Sequence, residues 1–99
     1  MENIDYLGNA NRQISKYNEA IHNIKGAIQK YEMAKEVLEK IEGVETCMKL
    51  HSFIELKIAS LQLKIKEINN VIDFIQKKSR ALDRKQREIQ DLNNREFFS

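Results

Sequence analysis

The sequence predicts an all-α fold, an antiparallel two-helix coiled-coil hairpin that pairs with a second copy into a four-helix assembly. Two long heptad series carry this reading, together with a glycine-containing break between them and a composition without proline. In the first series Leu7, Ile14, Ile21 and Ile28 fall on position a, with Lys35 discordant. Ala10, Tyr17, Ile24, Tyr31 and Leu38 fall on d. In the second, Ile54, Leu61, Ile68, Ile75, Leu82 and Ile89 fall on d. Its a positions are Ile58, Ile65 and Ile72, followed by polar Ser79, Gln86 and Asn93. Apolar spacing that alternates three and four residues marks helices wound as a left-handed coiled coil.

The first helix is expected near residues 4–42. Gly43 suits the position just past a helix end, where φ > 0 is needed. A turn near 43–51 follows. Ser52-Phe53-Ile54-Glu55 reads as a capping box that opens a second helix near 52–95, with Thr46 as a competing cap. Ile54, Leu56 and Ile58, then Leu61, Leu63 and Ile65, also alternate with period two. Ala59-Ser60 is a poor hairpin turn, however, and the heptad runs through unbroken, so helix is favoured.

A short connection makes the helices antiparallel neighbours. In such a pair, a on one helix lies level with d on the other. Pairing Leu7 with Ile89, Ile14 with Leu82, Ile21 with Ile75 and Ile28 with Ile68 satisfies both series. The same register pairs Tyr17 with Ser79, Ile24 with Ile72, Tyr31 with Ile65 and Leu38 with Ile58. Paired numbers total 96 throughout.

The 99 residues fit a single helical domain, 1–99. One cysteine, Cys47, cannot form an intrachain disulfide, which points to a reducing, cytoplasmic setting. No apolar run exceeds two residues, so neither a membrane span nor a signal-peptide core is expected. The net charge of +2 is mild for a generic nucleic-acid binder. It is unevenly spread. Glu32, Glu36, Glu39, Glu42 and Glu45 make an acidic stretch, while Lys77, Lys78, Arg80, Arg84, Lys85 and Arg87 make a basic one on outer positions b, f and g.

No nucleotide loop, zinc-protease motif or catalytic triad is present, so the chain reads as non-enzymatic and without cofactor or metal. Cys47 and His51, four apart, have a metal-like spacing, but one pair reads better as a half-buried thiol beside a solvated imidazole. His22 falls on the outer face. Tyr17, level with Ser79, reads as part of a polar pocket that fixes register.

A two-helix hairpin buries only one stripe per helix, so apolar residues off the seam are expected to meet a partner. Met33, Val37 and Ile41, with Phe53, Leu56 and Leu63, form that expected interface, with Val44 and Met48 in the turn. Ala20, Ala27 and Ala34 lie beside the seam at heptad spacing and allow another helix close approach. The function expected is protein–protein contact, with itself as a homodimer and with an unidentified protein. Such a module serves as an adaptor, chaperone-like factor or inhibitor. Size and an Ile-, Lys- and Asn-rich composition suit a small phage or mobile-element protein that blocks a host factor. The alternative is nucleic-acid binding through 77–87, without membrane attachment.

Overall fold

The computed structural model describes residues 3–41 and 45–98, with side chains over 3–41 and 47–95. It is all-helical: α1 spans Tyr6–Glu39 and α2 spans Glu45–Phe98, and they pack against each other. No strand occurs among the described residues, so the period-two alternation near Ile54–Ile65 is helical. Gly43 and Val44 lie outside the described residues.

Asp5 opens α1. Its carboxylate accepts a hydrogen bond from the Gly8 N–H at 2.9 Å, and its carbonyl accepts the Asn9 N–H at 3.0 Å. This is an N-cap that satisfies one of the free donors of the first turn. The other end tightens through the Lys40 N–H to the Val37 carbonyl and the Ile41 N–H to the Leu38 carbonyl. Such three-residue bonds satisfy carbonyls left over at a helix end.

Helix α2 begins seven residues before the expected start at 52. The Ser52-to-Glu55 segment is therefore helix interior, and Ser52 is exposed on its surface. The heptad explains the extension. Cys47 continues position d and His51 continues a, and both are half-buried where their neighbours Met48, Lys49 and Leu50 are exposed. A seam read from apolar residues alone stops at Ile54; polar Cys47 and His51 carry it two turns further.

The chain divides into two compact units, one of Met1–Tyr17 with Asn70–Ser99 and one of Asn18–Asn69. In the unit Asn18–Asn69, Ile21, Ile28 and Ile54 are buried. Ile24, Tyr31, Leu38, Ile58, Leu61, Ile65 and Ile68 are half-buried. Lys35 lies on the seam and turns its ammonium to Glu55 at 3.3 Å, while His51 Nε2 lies 3.1 Å from Glu39 Oε1. In both pairs the residue numbers total 90, which sets the a–d layers at 89 rather than 96. Ile28 is thus level with Leu61, Ile21 with Ile68 and Leu38 with His51.

In the unit Met1–Tyr17 with Asn70–Ser99, Ala10, Ile72 and Ser79 are buried. The Gln86 side-chain amide clamps the Ile4 backbone. Its Oε1 accepts the Ile4 N–H at 3.0 Å and its Nε2 donates to the Ile4 carbonyl at 2.9 Å. Gln90 donates alongside to the Asn3 side chain. Ile4 and Gln86 again total 90, so the same register holds here.

The expected register is therefore corrected by one heptad in each unit. A shift of seven keeps every a level with a d, so the periodicity satisfies both registers equally. The early start of α2 shortens the connection and selects the tighter one. The Tyr17–Ser79 pocket goes with it. Tyr17 lies level with Ile72 and stays 36% exposed, and the buried Ser79 hydroxyl donates to the Gln76 carbonyl of its own helix at 3.0 Å.

Candidate interaction surface

The two flanks of the seam differ, and the difference follows from heptad positions. In an antiparallel pair the e positions of both helices share one flank, and the g positions share the other. The bonds in the unit Asn18–Asn69 identify the e flank. His51 Nε2 meets Glu39 at 3.1 Å and its Nδ1 meets Glu55 at 3.6 Å, and Lys35 completes the set on Glu55. Glu39 and Glu55 on this flank are therefore paired within the chain. Cys47 is a half-buried free thiol on the seam nearby. No group of three or more His, Cys, Asp or Glu side chains placed to hold a metal ion occurs among the described residues. A shallow cavity of about 270 Å³ lies there, lined by Leu38, Ile41, Cys47, Met48 and His51 among others.

The g flank is different in kind. Within the same unit, positions g and c carry Ala20, Ala27, Ala34 and Val37 from α1, and Leu50 and Phe53 from α2. The register sets Ala34 level with Lys57 and Ala27 with Lys64. Val37, Leu50 and Phe53 are 47–60% exposed. They form an apolar patch beside the turn, and an alanine trough continues from it along the seam.

All six residues expected at an interface are exposed, but they do not form one cluster. Val37 and Phe53 lie on the g flank, whereas Ile41 lies past the end of α1 and lines the cavity with Cys47 and His51. Met33, Leu56 and Leu63 occupy f positions, opposite the seam on their own helices. The register sets Met33 level with Leu56, and the two point away from each other. Leu50 is a patch residue that the sequence reading missed. Segment 43–51 read as a turn, so Leu50 had no assigned face.

The basic residues lie in the other unit. Lys77, Arg80, Arg84 and Arg87 recur three and four apart along one stripe of α2, while Lys78 and Lys85 fall on the g flank. Lys77 is held by Asp73 at 2.9 Å and Arg87 by Asp83 at 3.1 Å, both one turn back. Lys78 Nζ sits 5.7 Å from the Phe74 ring centroid, a cation–π placement. Arg80 and Arg84 are exposed. Lys85 and Gln86 help line a broad open groove of about 870 Å³ with Asn3, Tyr6 and Asn93.

No helix among the described residues is long and apolar enough to cross a membrane. Set beside known proteins, the chain matches no family model, no curated protein and no solved structure.

Proposed function

We propose that this chain is a non-enzymatic protein-interaction module, working as an adaptor, chaperone-like factor or inhibitor in the cytoplasm. The observation that carries this reading is the g-flank patch of Val37, Leu50 and Phe53, exposed on one side of a thin seam. No described side chain is completely buried, and the buried core is five apolar residues. A fully buried Leu, Ile or Phe contributes about 1.5–3 kcal/mol. Further burial on a partner is therefore the main unused source of stability. A second copy, giving a four-helix assembly, and a foreign helix are the two occupants that suit such a face. A small phage or mobile-element protein that blocks a host factor would have this economy of size.

The test compares the full chain with a Val37→Glu, Phe53→Glu variant. Both substitutions lie off the seam, so helical content and melting should be preserved. Parent chain immobilised on resin should retain protein partners, or a second copy, that the variant releases. Identical capture by parent and variant would refute the reading.

Nucleic-acid binding through Lys77, Lys78, Arg80, Arg84, Lys85 and Arg87 is the second reading, favoured by the four-residue stripe on α2. Two members of that stripe are already paired with aspartates. A phosphate-binding surface would lose affinity steeply as salt rises, whereas the apolar patch would not.

A further inference from the structure

Deepening the protein-interaction reading, we infer that the g flank of the unit Asn18–Asn69 receives one amphipathic helix with an acidic edge. The argument is charge complementarity around an apolar site. The trough between Ala27 and Ala34 is bordered by Lys30 on α1 and by Lys57 and Lys64 on α2. These lysines are exposed and make no ion pair among the described residues. Glu67, at the far end, is the one acid among the described residues on this flank of the unit. The opposite flank carries Glu32, Glu36, Glu39 and Glu55, the last two engaged by His51 and Lys35. The unit thus has an acid-rich flank and a lysine-rich one.

The trough has the form a helix needs. Alanine is the smallest side chain that keeps a helix favourable, and rows of it let a third backbone come close. Ala20 and Ala27 are half-buried and Ala34 is exposed. The occupant would set apolar side chains on Val37, Leu50 and Phe53, and carboxylates beside Lys30, Lys57 and Lys64. That ordering gives the bound helix a direction, apolar end toward the turn. An acidic helix suits the face better than a second copy. A side-by-side two-fold contact would bring each set of three lysines against its duplicate, and like charges across an interface cost affinity and slow encounter.

The experiment uses the full chain and two synthetic peptides of about three heptads, both with leucine at a and d. One carries glutamate at e and g, the other lysine. Binding is followed by fluorescence anisotropy. The glutamate peptide should bind at least about tenfold tighter than the lysine peptide, since several rim ion pairs are gained or opposed. Lys57→Glu with Lys64→Glu should invert that preference while leaving the circular dichroism spectrum unchanged. Ala34→Trp should block both peptides. Equal affinity for the two peptides would overturn the acidic partner and leave a protein-binding patch intact. Binding of neither peptide, with a salt-sensitive affinity for an oligonucleotide, would overturn the inference and the protein-interaction reading together. Two further results would also overturn the inference. One is a dimer at tens of micromolar that Val37→Glu dissociates. The other is preferential partition onto vesicles of equal phosphatidylserine and phosphatidylcholine.

Discussion

Asp5 and Gly8 are coupled through one hydrogen bond, and their chemistry at the start of α1 shows what single residues decide here. A Cβ added at Gly8 would overlap the Asp5 carboxylate, whose flexible end must shift. An N-cap acid is worth about 1 kcal/mol. Asp5→Ala should therefore cost about 1 kcal/mol in the parent and less in a Gly8→Ala background. A double-mutant cycle of thermal unfolding measures the coupling; no loss on Asp5→Ala in the parent would show that the cap is not formed. Gly26 is the opposite case. A Cβ there meets nothing within 4 Å, at an outer position of α1. Gly26→Ala should stabilise by about 0.5–1 kcal/mol, because alanine restricts the unfolded chain and favours helix. The expected gain is about 2–8 °C in melting temperature; an unchanged or lowered value would contradict the open environment. Neither effect was legible in the sequence, where Gly8 and Gly26 are both isolated glycines in a helical pattern.

At the scale of elements, what could be read was the seam and what could not was its register. Ile21, Ile28, Ile54 and Ile72, buried in the structure, all lie on the heptad series. The pairing between series is degenerate, because sliding by seven residues returns a to d. The length of the connection and the polar links across the seam separate the two solutions. That length was hidden by Cys47 and His51, whose polar side chains occupy seam positions, and by Ser52, whose capping signature has no structural consequence inside a helix. The register is testable with cysteine pairs in a Cys47→Ser background. Ile28→Cys with Leu61→Cys should oxidise to an intrachain disulfide. Ile28→Cys with Ile68→Cys should not, since one heptad displaces the partner by about 10 Å along the axis, beyond the roughly 7 Å reach of a disulfide. The reverse outcome would restore the longer connection. The interface was legible in part for a related reason. Apolar residues off the seam are visible from spacing, but the flank each one occupies depends on pairing, so Met33 and Leu56 were grouped although they point apart.

For the molecule as a whole, composition bounded the class of function but left its partner open. The mild charge of +2 conceals a sorted surface, with acids concentrated on one flank and Lys30, Lys57 and Lys64 on the other in the unit Asn18–Asn69. Sorting of this kind depends on three-dimensional neighbours and does not register in a net total. The two extra turns of α2, residues 45–51, also bear on how the chain chooses among its states. Both heptad registers bury nearly the same apolar layers, so hydrophobic gain barely separates them. The choice rests on those two turns and on polar links such as His51 to Glu39 and Gln86 to Ile4. The hairpin is in this sense a ratchet with two notches, held in one by a short helical pawl. His51→Pro would unwind the pawl, since an interior proline removes a backbone donor and clashes with the preceding turn. In that background, disulfide formation should move from the Ile28–Leu61 cysteine pair to the Ile28–Ile68 pair. If it stays where it was, other contacts than the pawl hold the notch.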